Sequence, residues 1–309
     1  MAKKNKARKK PSRKRTTGSV TPSRTRLLRG TLFIVGGRED KENDRAILKA
    51  LAQRLDSGKL VIATLATEYA DEAWEQYEKL FSDFGVKEVA HLSIGQRDEE
   101  SEQAYSEILA GATAIFFTGG DQLKITTKLG GSRLIEHIEE MFKRGAIIAG
   151  TSAGAAVMGE MMLFSTVDSH LYKVRDAFQM VPGLGLIKNA IIDQHFSERG
   201  RIRRLLGAVA QNPRLIGIGI DEDTAIVVER GERFQVIGSG AVYVADGRDL
   251  TYTNISEASM DQTMSVFNLK LHILNHSDGY DLLRHQPFHN RPPLTGKRMK
   301  RKANGQQVE

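Results

Sequence analysis

The chain has 309 residues, 40% of them hydrophobic, and a formal charge of +7, which is enough apolar content to bury one large core or two small ones. It contains no cysteine, which excludes disulfides, a thiolate nucleophile and cysteine-ligated zinc. No export-type apolar core opens the chain and no apolar run is long enough to cross a bilayer, so a soluble, cytoplasmic protein without membrane contact is expected.

The charge is segregated. Residues 1–29 hold twelve Lys or Arg and no acid, and residues 291–309 hold six against one acid, so the tails carry +17 and the body between them −10. Lys3-Lys4, Lys9-Lys10 and Arg13-Lys14-Arg15 lie among Pro, Ser and Thr, the composition of a disordered segment. The tails are either tethers to nucleic acid or another polyanion, or solvated extensions. They hold no interleaved aromatics and no nucleic-acid-binding motif. The expected organisation is a disordered basic tail over 1–29, a single α/β domain over 30–275, and a basic C-terminal extension over 276–309 that is largely disordered after 291.

Within the body, Leu32 to Val35 reads as a first strand ending at Gly36-Gly37, and Asp44 to Leu55 has helical periodicity through Ile47, Leu48 and Leu51. Leu60 to Leu65 is a second strand, and Asp71 to Phe84 an amphipathic helix through Trp74, Tyr77, Leu80 and Phe81. Val86 to Leu92 and Ala112 to Thr118 are the third and fourth strands, and Leu134 to Phe142 is a helix leading into the apolar run Ala146 to Ala149. Such alternation predicts a doubly wound, mostly parallel sheet flanked by helices, with functional loops at the strands' carboxyl ends. From Ala225 on, short strands over Ala225 to Glu229, Arg233 to Ile237 and Ala241 to Ala245 predict an antiparallel extension of that sheet.

Gly150-Thr151-Ser152-Ala153-Gly154 stands where strand, tight turn and helix follow one another, the setting in which G-x-S-x-G exposes a nucleophilic serine. Glycines on both sides permit the strained turn, and the N–H of Ala153 can face a developing oxyanion. A serine hydroxyl needs a base, and the strand Ala190 to Ile192 delivers Asp193-Gln194-His195 to one loop, ahead of a helix expected to begin near Ser197. The strand Leu215 to Ile220 then delivers Asp221-Glu222-Asp223, a source for the carboxylate that fixes the imidazole tautomer. In the order Ser152, His195, Glu222 the acid follows the histidine, unlike the α/β-hydrolases.

Gly36-Gly37 and Gly119-Gly120 complete no dinucleotide or P-loop pattern, so no nucleotide site is expected. Gly119-Gly120 is either a second oxyanion donor, with Gln122 facing the substrate, or a tight turn alone. The spacing of Asp193, His195 and the nearby acids matches no metal-ligand pattern, so neither metal nor organic cofactor is expected.

Gly36-Gly37-Arg38-Glu39-Asp40, Phe117-Thr118-Gly119-Gly120-Asp121-Gln122, Gly150-Thr151-Ser152-Ala153-Gly154-Ala155, Asp193-Gln194-His195-Phe196 and Gly219-Ile220-Asp221-Glu222-Asp223-Thr224-Ala225 occur in the order seen in cyanophycinases, which this chain resembles over roughly residues 30–270. The resemblance implies a class I glutamine amidotransferase-like fold and a serine-type exopeptidase acting on cyanophycin, a poly-aspartate whose β-carboxylates are amide-linked to arginine. The expected product is the β-Asp-Arg dipeptide and the expected assembly a homodimer. It further implies Ser152 as nucleophile, His195 as general base and Glu222 as orienting acid. Ala153 and Gly120 are the implied oxyanion donors, and Gln122, Asp193, Gln194, Arg199, Arg201 and Arg204 line the implied substrate pocket. A zwitterionic substrate unit suits an acid such as Asp193 for its guanidinium and arginine forks for its carboxylate. Helical periodicity alone groups Ile202, Leu205, Leu206 and Val209 as the buried stripe and does not gather the three arginines on one face. Two other readings stand beside this one: a related aspartyl dipeptidase acting on short peptides, and a non-catalytic protein that binds a polyanion.

Overall fold

The computed structural model describes residues 30–95, 99–164, 179–257 and 262–289. Both tails expected to be disordered, 1–29 and the stretch after 291, lie outside these residues. In chain order the elements are Thr31–Val35 (β1), Ala46–Leu55 (α1), Lys59–Ala63 (β2), Ala70–Asp83 (α2), Val89–Leu92 (β3), Glu99–Leu109 (α3), Ala112–Phe117 (β4), Gln122–Leu129 (α4), Arg133–Arg144 (α5), Ile147–Thr151 (β5), Ala153–Ala156 (α6), Met161–Phe164 (β6) and Gln179–Pro182 (β7). They continue as Ala190–Gln194 (β8), Ile202–Gln211 (α7), Ile216–Ile220 (β9), Thr224–Glu229 (β10), Arg233–Gly238 (β11), Val242–Asp246 (β12), Tyr252–Thr253 (β13), Val266–Phe267 (β14), Lys270–Leu274 (β15), Asp278–Asp281 (β16) and Gln286–His289 (β17).

A nine-stranded sheet runs β17-β16-β11-β10-β1-β5-β4-β2-β3, parallel from β1 to β3 and antiparallel from β1 to β17. Its central strands are apolar on both faces, as parallel strands covered by helices require. Phe33 packs with Leu48, Leu51 and Leu55 of α1 and Tyr77, Leu80 and Phe81 of α2, whereas Leu32 and Ile34 turn to the opposite face with Leu134, Ile138 and Phe142 of α5. Period-2 alternation in β1 therefore fills two cores at once. Truncating one of these side chains, Phe33 for instance, to alanine costs about 3–5 kcal/mol.

The structure separates strands that the sequence pattern leaves together. A six-stranded sheet, β15-β12-β9-β8-β6-β7, packs Ile192, Ile218 and Val244 into the core that holds Leu32 and Ile34, and α7 covers its other face through Leu205, Ala208 and Val209. Here β12 pairs with β9, not with β11, so the antiparallel extension divides between two sheets. Nor does the main sheet stop at residue 275, because β16 pairs with β11 and buries Tyr280 against Phe234. Helices α3 and α4 carry too few regularly spaced apolar residues to be read from sequence.

Register makes the site. Val35 stands opposite Thr151, Phe117 opposite Gly150, and Gln194 opposite Ile220. β1, β4 and β5 thus end level in one sheet and β8 and β9 in the other, and the site is built from the residues that follow these ends.

Candidate active site

Ser152 occupies the turn between β5 and α6 with φ 53° and ψ −109°, a strained conformation for a non-glycine residue. Its flanking glycines are sterically required. A β-carbon on Gly154 would lie 2.3 Å from Phe117 O, and one on Gly150 would lie 2.6 Å from the Gly154 carbonyl carbon. The Ser152 N–H donates to Val35 O at 3.0 Å, which ties the turn to β1.

The Ser152 Oγ lies 2.9 Å from His195 Nε2, and His195 Nδ1 lies 2.7 Å from Glu222 Oε1. Because the carboxylate can only accept, Nδ1 carries the proton and the lone pair of Nε2 faces the serine hydroxyl. His195 caps β8 at φ 46°, and its N–H donates to Gly36 O at 2.8 Å. Glu222 follows β9, takes Arg38 Nη1 at 3.4 Å from its Oε2, and donates its N–H to Glu198 Oε1 at 3.2 Å. Burial lowers the His195 pKa from its ordinary value; the Glu222 bond opposes this, and the charges of Arg199 and Arg201 add to it. The imidazole is therefore neutral at neutral pH, as a base must be.

The other expected residues fall into two groups. Gly119 and Gly120 border the turn: a β-carbon on Gly119 would lie 3.4 Å from Ser152 Cβ, and Gly120 adopts φ 138° against the Ala66 backbone. As the first residue of its helix, Ala153 has an N–H without an intrahelical acceptor. Gln122 is buried at the start of α4, with Nε2 donating to Leu163 O at 2.9 Å.

The second group is built on Asp193, which is 1% exposed. Arg204 forks onto it, with Nε 2.7 Å from Oδ2 and Nη2 bonded to Oδ1, and Arg201 Nη1 lies 3.3 Å from Oδ1. Arg201 Nη1 also donates to Gln194 Oε1 at 2.8 Å and to Gln194 O at 2.5 Å. Burial brings the Arg201 pKa down to about 10, so the group stays charged at neutral pH. Arg201 and Arg204 thus converge on one carboxylate although periodicity does not align them, because Arg201 precedes the helix. The helix expected near Ser197 begins at Ile202, after a turn in which the Ser197 N–H donates to Asp221 Oδ1 and Gly200 adopts φ 59°. Arg199 sits on that turn and is exposed.

Sequence reading passes over Arg38 and Glu39 as chemical groups. The signal was present, a polar run directly after a buried strand, the same criterion that selects Asp193-Gln194-His195.

An α/β sheet whose strand-to-helix turn carries a serine hydrogen-bonded through histidine to glutamate defines the class of serine-type hydrolases. Within it the chain belongs to peptidase family S51, whose model matches residues 32–237. It is 37% identical to "Cyanophycinase" of Geminocystis herdmanii over 84% of this chain and 97% of that one. To "Cyanophycinase" of Synechococcus elongatus it is 36% identical over 86% of this chain and 84% of that one, and to that of a Nostoc species 36% identical over 85% and 88%. A peptidase from an acI-B1 Actinobacterium, solved by crystallography, shares the fold with a TM-score of 0.59 and 22% identity, covering 83% of this chain and 98% of that chain.

Proposed function

We propose that the protein is a serine-type exopeptidase that hydrolyses cyanophycin to β-Asp-Arg dipeptides through an acyl-enzyme. The observation that carries this reading is the unbroken Ser152–His195–Glu222 hydrogen-bond chain in a member of family S51 whose relatives bear the name cyanophycinase. Ser152 attacks the α-peptide carbonyl between two aspartyl units while His195 takes its proton. The N–H groups of Ala153 and Gly120 receive the oxyanion, each such donor being worth roughly a hundredfold or more in rate. His195 then protonates the leaving amine, and water, deprotonated by the same imidazole, releases the acyl group. Every step is served by side chains and backbone of this chain.

We also propose a narrower role for Asp193. With two guanidinium groups on one buried carboxylate, the cluster has a net positive charge, and we assign Arg201 and Arg204, together with exposed Arg199, to the substrate's carboxylates. Asp193 orients the forks and does not itself meet the substrate guanidinium. We assign Gln122 and Gln194 to the substrate as well.

Among the described residues no helix is long and apolar enough to cross a membrane, and we read the enzyme as cytoplasmic. A homodimer is the expected assembly, and among the described residues β15 ends its sheet with Leu271 and Ile273 exposed, an edge such an assembly could cover. The basic tails suit contact with a polyanion. Incubation with insoluble cyanophycin and, separately, with Asp-X dipeptides tests the assignment: dipeptide release from the polymer supports it, and cleavage of Asp-X alone replaces it with an aspartyl dipeptidase.

A further inference from the structure

Glu39 is 3% exposed, four residues beyond the end of β1, and the chain from Ser152 to Glu222 does not pass through it. A buried carboxylate is costly unless its oxygens are satisfied. Here Oε2 accepts the Thr151 hydroxyl at 2.5 Å, Oε1 accepts the Tyr77 hydroxyl, and Lys41 Nζ stands 3.2 Å from Oε1. Three donors surround it, so both of its oxygens have partners. Burial, and then the charge of Glu39, push the Tyr77 pKa well above the ordinary phenol value, so Tyr77 keeps its proton to donate.

Two of these bonds lead away from the site and one leads into it. Thr151 ends β5, and its peptide bond runs directly into Ser152, whose positive φ needs outside support to persist. That support comes from a single segment, residues 35–40. Val35 O accepts the Ser152 N–H at 3.0 Å, and Glu39 grips the Thr151 side chain. The same segment holds the other two loops. Gly36 O accepts the His195 N–H at 2.8 Å, Gly37 O accepts the Asp223 N–H at 2.9 Å, Arg38 pairs with Glu222, and the Asp40 N–H donates to Asp223 Oδ1 at 2.9 Å. Only Glu39 in that segment reaches the nucleophile's own turn by a side chain.

Resting on the reading of Ser152 as nucleophile, we propose that Glu39 is a positioning residue: through Thr151 it fixes the serine turn so that the Ser152 hydroxyl stays in line with His195 Nε2. Displacement of a reacting group by about 1 Å can cost on the order of a hundredfold in rate. A carboxylate that merely helps the fold would raise stability without this effect.

The test uses the full chain and measures the rate at which a fluorophosphonate labels Ser152, alongside thermal unfolding of each variant. The probe reports on serine reactivity whatever the natural substrate is. Glu39→Gln and Thr151→Val are each expected to slow labelling roughly 10- to 100-fold. The double variant is expected to label no more slowly than the slower single one, since both break one bond. Thr151→Ser, which restores the hydroxyl, is expected to return to within a few-fold of the parent, and Tyr77→Phe to lower the unfolding temperature while leaving the labelling rate unchanged. Should Glu39→Gln not fold, the Thr151→Val and Thr151→Ser pair decides alone. Labelling of Thr151→Val at the parent rate overturns the proposal, as does slowing by Tyr77→Phe in proportion to its lost stability. Failure of the parent protein to label at all overturns the nucleophile reading on which the proposal stands, and is a different result from either.

Discussion

Gly37 lies directly against the imidazole of His195, so closely that a β-carbon at position 37 would be 2.3 Å from His195 Cε1 and 2.5 Å from Nε2. Gly37 also adopts φ 108°, which disfavours any side chain there. Gly37→Ala is therefore expected to push the imidazole off its line and to reduce kcat/KM by about a hundredfold or more. Circular dichroism is expected to show the sheet intact.

Ser152→Ala removes the attacking oxygen and nothing that supports a core. Turnover is expected to fall by several orders of magnitude with the unfolding temperature nearly unchanged. Glu222→Gln keeps the shape of the acid but removes its charge and invites the wrong histidine tautomer, for a loss of roughly 10⁴-fold in kcat. Steady-state rates on the polymer measure both.

The pH profile follows from the signs of the charges around His195. The base works as the neutral imidazole, so activity rises as pH rises through its pKa, and burial sets that acid limb below the ordinary histidine value of 6.5. Arg199 lowers this pKa, so Arg199→Gln is expected to move the limb to higher pH. Glu222 raises it, so the residual activity of Glu222→Gln is expected to move the limb to lower pH. Profiles of kcat/KM for the three proteins check the two opposite displacements.

Asp193→Ala leaves Arg201 and Arg204 facing each other without their shared carboxylate. Breaking a buried ion pair from one side costs about 3–5 kcal/mol, to be read from denaturant unfolding. If the arginines bind substrate carboxylates, KM is expected to rise as well. Asp193→Asn, which keeps the hydrogen-bonding shape, is expected to lose less stability.

Much of this site is legible in the sequence because polar residues directly after buried strands are hard to explain otherwise. Ile147–Thr151, Ala190–Gln194 and Ile216–Ile220 are wholly buried strands, and each hands over one member of the Ser152, His195, Glu222 chain. What pattern alone does not carry is the partner of each strand. Nothing in Ile216 to Ile220 says that it belongs to a second sheet, since a strand buried on both faces looks the same in either. The convergence of Arg201 and Arg204 was hidden for a related reason, because a helical wheel presumes a helix and Arg201 stands before its first turn. Glu39 reads in the sequence only as part of a motif, because nothing in the pattern says that Tyr77, Lys41 and Thr151 meet around it in space.

Purified cyanophycin offered to the parent protein and to Ser152→Ala, with the released fragments weighed by mass spectrometry, tests the central claim most directly. The parent is expected to release β-Asp-Arg dipeptides and the variant to leave the polymer whole. Dipeptide release by Ser152→Ala at the parent rate, or an untouched polymer with the parent protein, contradicts the account.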